Sequence, residues 1–382
     1  MSGAGSRVIV GLSGGVDSAV AALCLIRAGY RVEALHMTNW EAADEYCTAG
    51  ADLADARRAA ADLGIPLHHV NFAREYRDEV FAGFLRELEA GRTPNPDVAC
   101  NRHIKFGAFL RHAGRLGGDF IATCHYAHVL HGDPPRLFRA ADRNKDQTYF
   151  LHAIDGGALD KVLFPLGTLT KAEVRRLAME YGLANHARPD STGICFIGER
   201  PFREFLLEHL PADPGPILSD EGVELGTHMG LAFYTLGQRE GLGIGGRRGT
   251  LAAPWFVAAK DPGRNALIVV QGENHPLLRR REIGARDLRW LTGPPDGLAG
   301  GIDLHARIRH RHEPAPCRVT EVAPGELLVC FGQPQRSPTP GQSVVFYRGD
   351  ECLGGGIIDD AGSGLPSTPR LLAEGAARID PL

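Results

Sequence analysis

A glycine-rich turn near the N-terminus constrains the fold more than any other stretch of the chain. Residues 8–10 (Val-Ile-Val) have the composition of a buried strand, residues 11–18 (Gly-Leu-Ser-Gly-Gly-Val-Asp-Ser) form the turn, and residues 19–28 have the composition of a helix. Such a turn presents backbone N–H groups and the positive end of the helix dipole to an anion. It is therefore a candidate phosphate-binding loop, although a Gly-Gly pair alone is equally compatible with an ordinary strand-to-helix turn.

This turn differs from two common phosphate-binding motifs. It lacks the Gly-Lys-Ser/Thr ending of a Walker A loop, and its glycines are not spaced as in the dinucleotide-binding fingerprint. The string at 13–18 (Ser-Gly-Gly-Val-Asp-Ser) resembles the loop of the ATP pyrophosphatases, which activate a carbonyl oxygen as an adenylate and release pyrophosphate. That resemblance implies that Asp17 lies near the Mg²⁺ that accompanies the nucleotide.

The order of the predicted elements indicates an α/β domain followed by two β-rich domains. Strands at 31–37 and 67–72 alternate with helices at 51–63 and 74–90, which is typical of a parallel sheet with helices on both faces. After a Pro/Gly-rich linker at 211–216, short strands alternate with Gly and Pro turns, which predicts a small mixed domain and then a β-barrel or β-sandwich. The predicted domains are residues 1–210, 211–278 and 279–382.

Bulk composition excludes several classes of protein. The 382 residues are 43% apolar and 23% charged, which is ordinary for a soluble globular protein long enough for two or three domains. No apolar run approaches the roughly 18 residues of a membrane span, and residues 1–7 are too short and polar for a signal peptide. The net charge of −4 means that any nucleic-acid surface has to be local. Eight scattered cysteines without a Cys-x-x-Cys pair predict a reduced, cytoplasmic protein.

The stretch at 91–100 is the first to favour cysteine chemistry. Its two prolines, one residue apart, exclude both helix and central strand, and Asn101 is the expected cap of the next helix. Cys100 is thus predicted at or just before a helix N-terminus, where the dipole favours the thiolate, with Asp97 as a nearby proton acceptor. A stiff connector with an incidental cysteine is the alternative.

Three further residues lie in segments that are less specific. Cys195 follows a Ser-Thr-Gly turn and precedes an apolar Phe-Ile pair, which is a weak signal by itself. Cys124 ends a predicted strand and is expected to be a small core residue. Met37 also ends a strand beside the glycine loop, where it either supports an adenine ring or belongs to the core.

Basic residues concentrate after the linker. Residues 275–312 contain eight arginines and four acidic residues, and 307–312 (Arg-Ile-Arg-His-Arg-His) alternates as one strand with a basic face would. A solvated surface strand is the usual explanation of such a run. Combined with a nucleotide-activating domain, it favours contact with an RNA backbone.

Taken together, the motifs resemble those of the bacterial tRNA-specific 2-thiouridylases over nearly the whole chain. These enzymes convert the wobble uridine of certain tRNAs to 2-thiouridine. The resemblance implies an adenine nucleotide alpha hydrolase-like (ATP pyrophosphatase) domain, a small central domain and a C-terminal β-barrel, with tRNA held across all three. The stretches that match the family are 11–18, 39–40 with 45–48, 91–97 with 100–101, 145–147, 190–200, 236–239 and 354–357.

The resemblance also implies roles for individual residues. ATP would be bound by the loop together with Met37 and Cys124, Cys195 would carry sulfur, and Asp97 would act as a general acid/base. The implied loop residues are Gly11, Leu12, Ser13, Gly14, Gly15, Val16, Asp17 and Ser18. The residues implied to contact tRNA are Asn95, Pro96, Asp97, His125, Lys145, Asp146, Gln147, Arg309, His310 and Gln342.

The chain departs from the family pattern at two of these positions. Cys124 replaces the glycine of Ala-Thr-Gly-His, which adds a side chain near the expected nucleotide pocket. His310 replaces a tyrosine that often follows the arginine at 309, which keeps a stacking ring that can also be charged.

The implied chemistry fits the residue types. Transfer of AMP to O2 of uracil lets that oxygen leave as a phosphate, so that a sulfur nucleophile can displace it. Sulfur would pass from a donor protein to Cys195 as a persulfide. Cys100 would either attack that persulfide, releasing sulfide and leaving a Cys100–Cys195 disulfide, or assist direct attack by the terminal sulfur. The target base has to be splayed out of the anticodon loop to be reached.

Three alternatives remain open at the level of sequence. Another enzyme with this loop, ligating an amino acid or amide, needs the loop but neither Cys100 nor Cys195. A non-catalytic RNA-binding protein needs the basic barrel but not Asp17. Asp97, Cys100 and Cys195 could instead hold an iron–sulfur cluster, although four cysteines are the usual ligand set.

Overall fold

The first part of the chain is built on a parallel sheet flanked by helices. The computed structural model describes residues 5–41, 49–188, 201–244 and 253–359. The strands of this part are β1 (Arg7–Gly11), β2 (Arg31–Thr38), β3 (Leu67–Asn71), β4 (Phe120–Ala122), β5 (Ala127–Leu130), β6 (Arg136–Arg139) and β7 (Val162–Leu163). Five of them pair in parallel in the order β3-β2-β1-β4-β7, and β5 and β6 form an antiparallel hairpin. The predicted α/β parallel sheet is confirmed.

The direction of chain progression changes between β1 and β4. From β1 the chain moves outward through β2 and β3 on one side of the sheet, whereas β4 and β7 lie on the other side. In open α/β sheets, ligands bind beyond the C-terminal ends of the strands at such a point. The glycine-rich loop follows β1 directly, and Cys124 and His125 follow β4. The topology therefore brings both segments to the edge where a ligand is expected.

Most helices of this part lie close to where the sequence predicts them, but the helix at Pro96–Cys100 lies in a stretch that is predicted to be a stiff loop. They are α1 (Val16–Arg27), α2 (Ala49–Leu63), α3 (Ala73–Tyr76), α4 (Ala82–Glu89), α5 (Pro96–Cys100), α6 (Phe109–Arg115), α7 (Thr148–Leu151), α8 (Lys171–Glu180) and α9 (Phe202–Leu207). Two π-helical segments, Arg77–Phe81 and Asn101–Ala108, make 73–89 and 96–115 continuous. Thr170 caps α8 in a capping box with Glu173, as the sequence predicts.

The middle part is a four-stranded mixed sheet. Its strands are β8 (Gly215–Ser219), β9 (Glu224–His228), β10 (Trp255–Asp261) and β11 (Ala266–Gln271). They pair in the order β10-β11-β8-β9, and the β11–β8 pair is parallel while the other two are antiparallel. The predicted small mixed domain is thus a short sheet that lies in the chain between the parallel-sheet part and the last part.

Six antiparallel strands of the last part close into a barrel. They are β12 (Arg279–Trp290), β13 (Ile302–Arg307), β14 (Ala315–Ala323), β15 (Glu326–Arg336), β16 (Ser343–Arg348) and β17 (Glu351–Ile358). Around the barrel the order is β12-β15-β14-β13-β16-β17, and β17 pairs back with β12. Buried side chains such as Val319, Val329 and Phe346 fill the interior. Because β17 pairs back with β12, the sheet is closed, and the last part is a β-barrel and not a β-sandwich.

The barrel is joined to the parallel-sheet part through the β5–β6 hairpin. Strand β6 pairs with β17, so the barrel sheet continues into the first part of the chain. A buried ion pair lies at the same junction, with Arg307 Nη1 2.7 Å from Asp146 Oδ2. One continuous hydrophobic cluster contains residues of all three parts, including Leu137, Val257 and Val345. Main-chain pairing and shared burial thus connect the barrel to the parallel-sheet part.

The prediction of a basic strand at 307–312 is wrong. Strand β13 ends at Arg307, and the next five residues form a turn closed by a hydrogen bond from His312 N to Arg309 O (3.1 Å). Arg307 is buried, and Arg309 and His310 are partly buried against other parts of the protein instead of alternating outward. Tertiary contacts of these side chains override the alternation in the sequence.

Within the described ranges, none of the helices combines the length and apolar character needed to cross a membrane.

Candidate active site

The glycine-rich loop connects β1 to α1 at the expected edge of the sheet. Gly15 is the N-cap of α1, Ser18 Oγ donates to Gly15 O (2.9 Å), and Ser13 N donates to Ser18 Oγ (3.2 Å). Gly14 has φ +85°, and a Cβ there would lie 2.7 Å from Asp55 Cβ and 3.0 Å from the backbone nitrogen of Ala56. The loop is therefore pressed against α2, and its shape requires glycine at this position.

Two side chains form hydrogen bonds to backbone carbonyls of the loop. The Nδ1–H of His36 in β2 donates to Leu12 O (2.9 Å), and Asn185 Nδ2 donates to Gly14 O (2.8 Å). Burial lowers the pKa of His36, although its bond to Leu12 O acts in the opposite direction. The carbonyls of the loop are thus bonded on the protein side, which fits a loop whose N–H groups are offered to an anion.

Asp17 lies on the first turn of α1 next to a cation. Its Oδ1 is 2.6 Å from Lys171 Nζ and accepts a hydrogen bond from the hydroxyl of Tyr126 at 3.1 Å. The side chain of Asp17 remains 28% exposed. Sequence reasoning did not single out Lys171 or Tyr126. The signal for Lys171 is its place at the first position of α8, where the helix dipole disfavours a cation.

The two other predicted ATP-binding residues lie around the same loop. A Cβ on Gly11 would lie 3.6 Å from Met37 Cε and 3.5 Å from Phe109 Cε1, so Met37 lines the wall next to the end of β1. Burial, and then the charge of Asp17, raise the pKa of the Cys124 thiol to about 11. Cys124 is therefore a protonated thiol near Asp17, and its contact with a nucleotide remains a proposal.

Asn95, and not Asn101, caps the helix that bears Cys100. The side chain of Asn95 accepts a hydrogen bond from Asp97 N (3.1 Å), and Pro96 occupies the first helical position. Asn101 is buried and donates through Nδ2 to Phe150 O (3.0 Å). Cys100 consequently lies one turn inside the helix and is only 2% exposed. The prediction of Cys100 at or just before the helix N-terminus is wrong, because the Asn-Pro pair begins the helix earlier.

Asp97 belongs to a polar cluster between this helix and the end of β4. Burial raises the pKa of Asp97, and the charge of Lys105 partly opposes that shift. Lys105 Nζ is 3.4 Å from His125 Nε2, and His125 Nδ1 is 2.8 Å from Thr123 Oγ1. Burial, followed by the charge of Lys105, holds the pKa of His125 well below its ordinary value, so His125 is neutral. Sequence reasoning missed Lys105, which lies two helical turns after Asp97 in the π-helical segment.

Cys195, the proposed sulfur carrier, lies outside the described residues, as does Cys47. The pairing of Cys195 with Cys100 and the iron–sulfur alternative therefore remain predictions. The structure contains no disulfide among the cysteines of the described ranges.

Several residues predicted to contact tRNA are engaged within the protein. Asp146 is buried against Arg307, and its Oδ1 accepts hydrogen bonds from Ala140 N (3.1 Å) and Thr148 Oγ1 (3.0 Å). The side-chain oxygen of Gln147 accepts from Tyr126 N at 2.9 Å. Lys145 is half-buried in the preceding turn. The 145–147 motif thus helps to place Tyr126 and the barrel.

The predicted barrel contacts are also used internally. Arg309 Nη2 donates to Leu236 O (3.0 Å) and to Ser337 O (3.1 Å). The ring of His310 lies 4.4 Å, centroid to centroid, from that of Phe150, one residue before the end of α7. Gln342 Nε2 donates to Thr93 O (2.7 Å) and Pro94 O (3.3 Å). Their proposed contact with tRNA would have to use atoms that these interactions leave available.

Comparisons with known families divide the chain into three matched regions. A model described as tRNA methyl transferase HUP domain matches residues 6–199. Models described as tRNA methyl transferase PRC-barrel domain and Aminomethyltransferase beta-barrel domain match residues 203–271 and 280–358. The parallel sheet, the mixed sheet and the closed barrel lie within these regions in that order.

Curated relatives match over nearly the full length of the chain. The tRNA-specific 2-thiouridylase MnmA of Alcanivorax borkumensis is 55% identical over 93% of this chain and 98% of its own. The chain belongs to the tRNA-specific 2-thiouridylase family. The family member from Methylococcus capsulatus is 54% identical over 92% of this chain and 96% of its own length. Among solved structures, the U34-tRNA thiolase NcsA of Methanococcus maripaludis matches this 2-thiouridylase-family chain at 18% identity and a TM-score of 0.34. The match covers 50% of this chain and 61% of the NcsA chain.

Proposed function

We propose that this protein catalyses the ATP-dependent 2-thiolation of the wobble uridine (U34) of tRNA, through an adenylated intermediate and a cysteine persulfide. The observation that carries the proposal is the segment 124–126, which joins the two halves of the site. Tyr126 donates to Asp17 of the phosphate loop, and His125 contacts Lys105 on the helix of Asp97 and Cys100. A nucleotide on the loop and a base near Asp97 would share one crevice, as adenylation of a uracil oxygen demands. Membership in the 2-thiouridylase family supports the same reaction.

In the proposed first step, ATP binds with its phosphates on the N–H groups of the 11–18 loop. The ammonium of Lys171, placed beside Asp17, would neutralise part of the phosphate charge. The carboxylate of Asp17 is partly exposed and fits a Mg²⁺ ligand, because Mg²⁺ is usually held by one or two carboxylates together with substrate phosphates. Bound Mg²⁺ would supply further neutralisation of the pyrophosphate that leaves.

Asp97 would act as the general acid/base on the uracil. As O2 attacks the α-phosphorus and pyrophosphate leaves, the proton on N3 has to be accepted, and a carboxylate can accept it. The raised pKa of Asp97 brings its protonation closer to neutral pH, where a general base works best. Lys105 and neutral His125 would line the same pocket and orient the base.

The proposed second step transfers sulfur. A persulfide on a donor protein would pass its outer sulfur to the Cys195 thiolate, which gives Cys195–S–SH and the donor thiol. In one route, the Cys100 thiolate attacks the inner sulfur of Cys195, so that hydrosulfide leaves and a Cys100–Cys195 disulfide forms. The hydrosulfide then displaces AMP from C2, and a thiol reductant restores the cysteines. In the other route, the outer sulfur of the persulfide attacks C2 directly and AMP leaves, which links the base to Cys195 through an S–S bond. The Cys100 thiolate then attacks the inner sulfur of Cys195, so that 2-thiouridine is released and the same Cys100–Cys195 disulfide forms.

The partners follow from this chemistry. The substrate tRNA would be held by its anticodon arm, with the base splayed out, because C2 of a stacked base is inaccessible. A sulfur-relay donor protein has to reach Cys195. A cytoplasmic location is consistent with tRNA as the substrate and with reactive thiols.

Methyl transfer is a second candidate, because the descriptions of two matching family models name a tRNA methyl transferase. That reaction needs a methyl donor and neither ATP nor a thiol pair. The loop at 11–18 favours a nucleotide polyphosphate. Incubation of tRNA and protein with S-adenosylmethionine alone should leave the tRNA unmethylated, and incorporation of a methyl group would overturn the thiolation proposal.

The main experiment separates the two proposed steps. We expect Asp17→Ala to reduce tRNA-dependent release of pyrophosphate by at least about 100-fold, since loss of a group that organises phosphate charge commonly has this magnitude. Cys100→Ala and Cys195→Ala should each abolish 2-thiouridine, measured by mass spectrometry of nucleosides, and leave pyrophosphate release intact. Cys330→Ala, a half-exposed barrel cysteine, is the control. Normal thiolation by either cysteine variant, or by Asp17→Ala, would contradict the assignment.

The proposed tRNA contact of Arg309 is tested by salt dependence. Within the described ranges, the hydrogen bonds of Arg309 to the Leu236 and Ser337 carbonyls both use Nη2, so its other N–H groups could contact a phosphate. Arg309→Ala should then lower the slope of log K against log salt by about 0.7–0.9, the value for one phosphate contact. A variant that binds tRNA more weakly with an unchanged slope would indicate that Arg309 is only a structural contact.

A further inference from the structure

The segment that leads into the Asp97–Cys100 helix is held by the other two parts of the protein. Lys260, in β10 of the middle sheet, donates from Nζ to Gly91 O at 3.0 Å. In the barrel, Pro340 O accepts from Thr93 N at 2.9 Å. Gln342 donates through one amide nitrogen to the carbonyls of Thr93 and Pro94. Backbone groups of residues 91, 93 and 94 are therefore fixed from outside their own domain.

The approach of the barrel to this segment is close. Gly341 has φ +92°, and a Cβ on it would lie 2.8 Å from Thr93 N and 3.0 Å from Arg92 Cβ. Only a residue without a side chain permits this contact. Arg92 itself forms a bidentate pair with Glu87, which fixes the segment at its other end. The segment at 91–94 is thus held by close backbone packing at Gly341 as well as by the hydrogen bonds from Lys260 and Gln342.

Stability alone does not account for Lys260. Lys260 is partly buried, its hydrogen bond to Gly91 O is to a neutral carbonyl, and burial lowers the pKa of Lys260 to about 8. Within the described ranges no carboxylate pairs with Lys260, and an ammonium that is partly removed from water without such a partner destabilises a fold. A residue that costs stability and donates into the segment before a catalytic helix is more readily explained by positioning.

We infer that Gln342 and Lys260 are positioning residues that set the geometry of Asp97 and Cys100 from the barrel and the middle sheet. The path is short, because Pro94, whose carbonyl Gln342 binds, directly precedes the Asn95 cap that fixes Asp97 N. The inference rests on the proposed thiolation and assigns to Gln342 a role other than contact with tRNA. An error of about 1 Å in the placement of catalytic groups can lower a rate about 100-fold.

The test compares two charge or polarity changes with matched controls. Gln342→Glu keeps the shape but sets a carboxylate against two carbonyl oxygens, and Lys260→Met removes the donor and keeps the apolar stem. We expect the single-turnover rate of 2-thiouridine formation to fall about 10- to 100-fold in each, with the tRNA Kd changed less than about twofold. Two controls should behave as wild type: Gln335→Glu, in which the altered amide donates to Gln333 O of the same strand, and Lys161→Met, at an exposed lysine.

Conservative variants and a second readout distinguish positioning from a general loss of structure. Lys260→Arg keeps a donor and should retain more of the rate than Lys260→Met. Gln342→Met, which lacks both the donor and the added charge, replaces Gln342→Glu if the latter does not fold. A weaker tRNA Kd with an unchanged rate would overturn the inference in favour of tRNA contact, and unchanged rate and Kd would overturn it outright. Failure of the wild type to form 2-thiouridine would instead refute the proposed function.

Discussion

The two loops that meet at the candidate site are held in opposite ways. The phosphate loop at 11–18 is fixed by residues of its own nucleotide-binding fold, His36 and Asn185, and by its internal serine bonds. The 91–95 segment is fixed by Lys260 and Gln342, which are 169 and 249 residues away in sequence from their partners Gly91 and Thr93. One loop depends on its own domain, and the other depends on the docking of two further domains.

This difference bears on how the two proposed steps are coupled. In the proposed reaction, adenylation would use the loop at 11–18, whereas base and sulfur chemistry would use Asp97 and Cys100, which follow the externally held segment. If the barrel and middle sheet bind tRNA, the groups that act on the base are correctly placed only where the tRNA-binding parts are docked.

The strongest perturbation of docking is Asp146→Asn. It would leave the Arg307 guanidinium, 2% exposed, without its carboxylate, and breaking a buried pair in this way typically costs about 3–5 kcal/mol. We expect a large loss in the free energy of unfolding, measured by denaturant titration. Thiolation should fall more than ATP binding, because the 91–95 segment relies on the barrel and the phosphate loop does not.

The matched control for this prediction is Asp350→Asn. Asp350 also pairs across the same junction, with Arg143 at 2.7 Å, but both side chains are roughly half exposed. A pair of that kind contributes about 0–1 kcal/mol. Equal effects of the two substitutions, or an Asp146→Asn variant of wild-type stability with altered tRNA affinity, would favour a tRNA contact for Asp146.

A glycine in each loop allows a direct comparison. Gly14 and Gly91 have φ of +85° and +75°, so alanine at either position incurs a left-handed backbone cost of about 1–2 kcal/mol. At Gly14 the new Cβ would also collide with Asp55 and the backbone of α2, while at Gly91 there is open space within 4 Å. Gly14→Ala should therefore weaken ATP binding by about 5- to 150-fold, from about 1–3 kcal/mol of overpacking. Gly91→Ala should leave ATP affinity unchanged. Calorimetric titration with ATP measures both affinities, and an equal loss of affinity in the two variants would contradict the comparison.

The same contrast explains what the sequence could and could not predict. The phosphate loop and the Thr170 capping box follow from neighbouring residues, because turn and cap preferences act over a few positions. The depth of Cys100 was missed because Asn95 and Pro96 were interpreted as part of a stiff loop, when they are also a cap and a first helical residue. The 307–312 turn and the position of Lys171 beside Asp17 depend on tertiary contacts such as Arg307–Asp146 and Lys171–Asp17, which join residues more than a hundred positions apart. The periodicity of the sequence cannot predict such contacts.

The smallest expected effect concerns the pH dependence of Lys260→Met. In the folded protein the pKa of Lys260 is about 8, below the 10.5 of an ordinary lysine, so the unfolded chain binds more protons between these values. The stability of the wild type therefore rises with pH across that window, since the unfavourable buried charge is lost on deprotonation. The methionine variant has no such charge.

The melting temperature of Lys260→Met should therefore exceed that of the wild type at about pH 7, and the difference should shrink between pH 8 and 10.5. A gain in stability together with slower thiolation would be expected of a residue kept for positioning, whereas a variant that is less stable by the same amount at every pH would show that Lys260 is an ordinary structural contact.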